Sequence, residues 1–211
     1  MPDTRTPATA KPDPSRTAAT PAARGSVADA PVYSGTARLL HWLTFAFVAV
    51  MAPVGLFMTS RAERNIFDGL TNALYSSHKL AGLTLLVLVV ARLVYRLVHG
   101  APPDEPTLAP WQRIVSHSTH WAIYALLLTV PVLGWIGVSL YPALDIFGLF
   151  NLPALVAPNQ GASSMAFMAH KLGAFALLAL VGLHVAAALF HFIVRKDGVL
   201  RRMLPGLKPR Q

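Results

Sequence analysis

The stretch from His170 to His184, HKLGAFALLALVGLH, decides how this chain is built. Apart from Lys171, everything between the two histidines is uncharged, and the apolar run extends from about Ser164 to Val194. That exceeds the ~20 residues a helix needs to cross ~30 Å of hydrocarbon. A histidine inside such a span is costly and marks a function. Fourteen residues at ~100° per residue return to nearly the same helix face, about 40° short, after a rise of about 21 Å. One helix therefore offers two imidazoles on one face, near opposite sides of a bilayer. That spacing suits two stacked cofactors and an electron path across the membrane, and suits a single compact metal site poorly.

Working outward, three further apolar segments appear, from about Arg38 to Ser60, Ala73 to His99 and Gln112 to Leu140. Pro53 and Pro131 lie inside the first and third, where they are expected to kink the helices. The fold expected is an all-α membrane protein, a four-transmembrane-helix bundle. The Pro-rich APPDEPTLAP joins helices two and three, and the IFGLF run in the longer Tyr141–Gly161 connection is expected to form a short interfacial helix. Residues 1–32 are rich in Pro, Ala, Thr and Arg and read as a disordered tail. Without an apolar stretch they are not a secretory signal. Residues 33–205 form the membrane domain, and 206–211 a second tail.

The chain has 211 residues, 54% hydrophobic and 13% charged, with a net charge of +9. Such a balance can point to nucleic acid, but here the cations flank apolar helices. Five lie in the tail through Arg38, three between Ala91 and His120, and six from Arg195 onward, against Arg61, Arg64, Lys79 and Lys171 on the other side. Fourteen against four places both termini in the cytoplasm. There are no cysteines, which excludes disulfides, Cys-ligated clusters and covalent attachment of c-type haem. Phosphate-loop, dinucleotide and zinc-protease motifs are absent. The acids Glu63, Asp68 and Asp145 fall at the outer surface, which leaves a proton-driven transporter little to work with.

Residues 78–88 read HKLAGLTLLVL and residues 170–180 read HKLGAFALLAL. Helices two and four share a His-Lys-Leu opening and one direction, so His78 and His170 sit at similar depth near the outer surface. Facing each other, they are placed to ligate one iron from both sides. Gly82 and Gly173 would let a flat macrocycle approach a helix, or serve ordinary helix packing. His41 opens helix one on the cytoplasmic side, and at its depth helix four offers both His184 and His191. His117, His120 and His99 lie at cytoplasmic helix ends and read as interfacial, or as proton-handling groups near a quinone. Arg38, Lys79 and Lys171, close to the candidate ligands, are positioned to pair with haem propionates or to snorkel to headgroups.

With RLLHW in helix one, HKLAG in helix two, HWAIYALLLTVPVLGW in helix three, and HKLGA and GLHVAAAL in helix four, the sequence resembles the bacterial cytochrome b561 family. The resemblance covers about Tyr33 to Pro205 and excludes the tail. It implies an inner-membrane protein holding two non-covalent b haems, with His41, His78, His170 and His184 as axial ligands, and it selects His184 over His191. Depth then pairs His78 with His170 and His41 with His184. The resemblance further implies electron exchange with the quinone pool, with ubiquinone as acceptor, and in some relatives oxidation of superoxide outside the membrane. More distant relatives are cytochrome b anchor subunits that take electrons from a partner hydrogenase or other dehydrogenase. A haem-free metal-ion transporter using the same histidines is the reading from another class.

Overall fold

The computed structural model describes residues 32–204, 206 and 207. The expected tail over 1–32 lies outside the described residues apart from Val32, as does most of 206–211. Four helices carry the fold: α1 (Gly35–Glu63), α2 (Gly69–His99), α3 (Pro110–Leu140) and α4 (Gln160–Phe190). All four are long and apolar enough to cross a membrane, and many of their large apolar side chains face outward, as a lipid environment requires.

Each helix start has a local cause. The Ser34, Asp68 and Asn159 side chains accept the backbone N–H groups of Ala37, Thr71 and Ala162, satisfying donors that the helix leaves unpaired. Helix α3 starts on Pro110, whose missing N–H costs nothing at that position. Arg61 binds Asp68 at 2.5 Å. With the Thr71 N–H as the larger cause, this holds the exposed Asp68 carboxyl down to about 2. Helix α2 stops at Gly100, whose φ of 73° suits a residue without a Cβ.

Helices α1 and α2 form one closely packed pair and α3 and α4 another, with α2 against α3 joining them. Val48, Leu85, Val89, Tyr124, Leu127 and Leu177 make the buried core. That core sits at mid-depth. Val48 lies seven residues after His41, Leu85 seven after His78, and Leu177 seven from both His170 and His184. Both ends of the described chain meet at one end of the bundle, where the Tyr33 N–H donates to the Arg202 carbonyl and Trp42 Nε1 to that of Met203. We call this the terminal end.

The opposite end carries a correction. The IFGLF run is not a helix but a two-stranded hairpin, β1 (Asp145–Ile146) against β2 (Phe150–Asn151). Phe147 and Gly148 both have positive φ, 55° and 70°, as a tight hairpin turn requires. The Asp145 carboxylate accepts the Gly148 N–H. Ile146 is fully buried while Leu149 stands 81% exposed. Four side chains of α2 and α3 fasten this connection. Ser76 Oγ accepts the Phe147 N–H and Ser139 Oγ that of Leu155, Trp135 Nε1 donates to the Pro153 carbonyl at 2.8 Å, and Lys79 Nζ donates to the carbonyls of Ala143 and Asp145. Helix α4 also ends earlier than expected. His191–Arg195 form a π turn, and Lys196 closes it with a φ of 54°.

Candidate functional site

His78 on α2 and His170 on α4 are brought together with ring centroids 6.2 Å apart. His41 on α1 and His184 on α4 stand at the same separation. The two pairs share one helix, and their α4 members are separated by fourteen residues, about 21 Å along its axis. One pair lies near the hairpin end and the other near the terminal end, with the apolar core between them.

The surroundings hold the rings. His170 Nδ1–H donates to the Val130 carbonyl at 2.8 Å. A carbonyl only accepts, so the proton sits on Nδ1 and Nε2 keeps a free lone pair. The acceptor lies one residue before Pro131, whose missing N–H leaves the Leu127 carbonyl, not that of Val130, without its helical donor. A Cβ on Gly134 would come within 3.0 Å of His170 Nδ1, and one on Gly55 within 3.2 Å of the His78 ring. These glycines clear space for imidazoles, a role the sequence reading missed; its signal was a glycine three residues after an intrahelical proline in VPVLG. Of the glycines singled out in sequence, Gly173 meets Val130 at 2.9 Å and Gly82 meets Met51 at 3.5 Å. Gly173 therefore lets α4 pack closely on α3. The buried His78 Nδ1 has no hydrogen-bond partner, a costly state for a polar atom.

Near the terminal end a third imidazole joins the pair. His120 on α3 stands 5.0 Å from His184, centroid to centroid, and its Nδ1–H donates to the Ser116 carbonyl at 2.7 Å. Sequence reading placed His120 at the interface. With α3 starting at Pro110, it lies about 15 Å along the helix, deep enough to reach His184. Arg92 of α2 donates to the Ala37 carbonyl, one turn before His41, and lies over the Tyr124 ring.

The remaining candidates are placed as follows. Arg38 is half-buried in the first turn of α1, three residues before His41. Lys79 spends its donors on the carbonyls of Ala143 and Asp145, whereas Lys171 is exposed. His191 Nδ1 binds Asp197 at 2.5 Å, His117 binds Asp104 at 3.0 Å, and His99 stacks on Tyr95.

This arrangement defines a class: a four-helix membrane protein with two imidazole pairs separated in depth. A model of the family described as prokaryotic cytochrome b561 matches residues 32–206, and the chain belongs to that family. It is similar to cytochrome b561 homolog 2 of Escherichia coli, 28% identical over 82% of this chain and 90% of the relative. It is similar also to cytochrome b561 homolog 1 of the same organism, 29% identical over 83% of this chain and 98% of the relative. A third relative is the probable superoxide oxidase CybB of Yersinia pestis, 28% identical over 79% of this chain and 92% of that one. The chain is thus a multi-pass protein of the bacterial inner membrane and a membrane electron-transfer protein, and its family implies haem b binding.

The residues present fit that group. Metal–imidazole bonds of about 2 Å, with about 1 Å from each nitrogen to its ring centre, call for centroids roughly 6 Å apart. The two pairs, at 6.2 Å, meet this distance. The 5.0 Å between His120 and His184 is a ring–ring contact. Helix α4 is not among the elements closely packed on α1 or α2, so the histidines bridge spaces where backbones stand apart.

Proposed function

We propose that the chain holds two b haems, one between His78 and His170 and one between His41 and His184, and passes electrons between a donor outside the membrane and the quinone pool. The observation that carries this reading is the repeated 6.2 Å separation of facing imidazoles at two depths on one helix. When bound, each haem would be held by the two imidazoles of its pair and would supply an iron that changes valence.

The chain's own residues set the conditions. His170 is locked in one tautomer by Val130, and the half-buried Arg92 donates to the Ala37 carbonyl one turn before His41. The apolar core around Leu177 separates the pairs and excludes water. With fourteen cations against four, the terminal end faces the cytoplasm and the hairpin end faces outward. There Lys79 and Lys171 give the approach to the outer pair a positive potential that favours a small anion. Superoxide as donor and ubiquinone as acceptor are the pair that this reading favours, supported by the similarity to a probable superoxide oxidase.

The test is purified protein in lipid nanodiscs, given an enzymatic superoxide source and a short-chain ubiquinone under exclusion of oxygen-reactive metals. The expected result is a red protein that forms quinol, with the quinol lost on adding superoxide dismutase. A red protein inert to superoxide would sink the donor assignment, and a colourless one the haem reading itself.

A further inference from the structure

Arg92 lies seven residues inside the end of α2 and Arg96 one turn further out, so both project from the same helix face. Together with Tyr33, Ala37, Leu40, Tyr95, Tyr124 and Met203 they line a cavity at the terminal end. A guanidinium has five N–H donors and holds its charge at any accessible pH. One Arg92 donor goes to the Ala37 carbonyl. Among the described residues no carboxylate lies within ion-pair distance of either arginine. A cation set into an apolar span without a protein counter-charge is costly, so the two guanidiniums are suited to an anionic ligand. Leu40, next to His41, lines this cavity, and the Ala37 carbonyl that Arg92 holds lies one turn before His41. Such a ligand would lie beside the inner histidine pair.

We propose that Arg92 and Arg96 bind the carboxylates of the haem held by His41 and His184, with Arg92 as the principal contact. This rests on the haem reading above and adds what that reading lacks: a counter-charge for the inner group, supplied by α2, a helix that gives it no ligand. Two guanidiniums one turn apart match a ligand with two flexible carboxylates, and the tyrosine hydroxyls offer further donors. A positive group next to those carboxylates favours the reduced iron, so the pair raises the potential of the inner haem relative to the same site without it.

The experiment is a potentiometric titration of the full chain, followed by its visible spectrum, for the wild type and for Arg92→Gln, Arg92→Lys and Arg96→Gln. Arg64→Gln, at the hairpin end, is the control. The inner haem is identified as the component missing in His41→Ala. In Arg92→Gln the inner midpoint potential falls and the outer one stays; Arg96→Gln lowers it less, Arg92→Lys restores most of it, and Arg64→Gln leaves it in place. If Arg92→Gln loses the inner haem, retention by Arg92→Lys supports the proposal, and loss by both variants overturns it. An unmoved inner potential in both glutamine variants overturns it as well. So does a shift seen in nanodiscs but absent in delipidated maltoside, because the anion would then be a lipid phosphate. Wild type and variants that are all colourless would instead be the failure of the haem reading.

Discussion

His170 on α4 donates its Nδ1–H to the carbonyl of Val130 on α3 at 2.8 Å, directly ahead of Pro131. The third helix thus supplies no imidazole to the outer pair, yet it fixes the ring that α4 supplies. Gly134 leaves the room for this, since a Cβ there would lie 3.0 Å from His170 Nδ1. Gly134→Val is expected to turn the ring off its acceptor, at about 1–3 kcal/mol as for other overpacked sites. The visible spectrum should show one haem component weakened or shifted and the other intact; an unchanged spectrum would remove Gly134 from the site.

Ligand pairing follows from depth. His78→Ala and His170→Ala should each abolish the same spectral component, and His41→Ala and His184→Ala the other. Acid-acetone should extract about two haems per wild-type chain and about one per variant, because no cysteine is present to hold them covalently. A common component lost by His41→Ala and His78→Ala would overturn both the helix directions and the pairing.

His191→Ala should keep two haems. Its imidazole is occupied by Asp197 in the π turn. Loss of a haem in this variant, with retention in His184→Ala, would move the inner site about 10 Å toward the terminal end.

The clasp at the start of α2 makes a prediction in pH. Asp68 is held down to about 2, below the usual 3.8, so its contribution to stability is complete above the usual carboxylate range. It is lost as pH falls from there toward 2. The difference in melting temperature between wild type and Asp68→Asn should stay constant from neutral pH down to about pH 5, and shrink below about pH 4. A difference that grew on acidification would mean the clasp is not electrostatic.

Orientation is tested by fusions. A C-terminal reporter active only in the cytoplasm should work, and one active only outside the membrane should not. The opposite result would exchange the two sides, including which haem meets the donor.

Much of this arrangement was legible along one helix. The HKL openings at residues 78 and 170, and the fourteen-residue step to His184, pointed to two sites because helical periodicity converts spacing directly into face and depth. What connects helices was not legible. His120 read as interfacial, since its depth depends on where α3 starts and its nearness to His184 on how α3 and α4 cross. Gly55 and Gly134 have no period of their own; their meaning comes from the imidazole opposite. The IFGLF run has helical length and apolarity, but the positive φ at Phe147 and Gly148 and the clamps from Ser76 and Lys79 turn it into a hairpin. Arg92, one of the three cations between Ala91 and His120, reads as a flanking charge in sequence, because the cavity beside it is made with residues of α1 and α3.

The core centred on Leu177 also has an electrical meaning. It is a buried apolar stretch between the imidazole pairs, and a transmembrane voltage falls most steeply where permittivity is low. In the orientation proposed above, an electron carried from the hairpin end to the terminal end would move toward the negative side of an energised membrane. Crossing the whole potential is opposed by ~2.3 kcal/mol per 100 mV. With the proposed direction of flow, the same apolar plug would make inward electron transfer self-limiting, fastest in a cell whose membrane has run down and slowest in one fully charged.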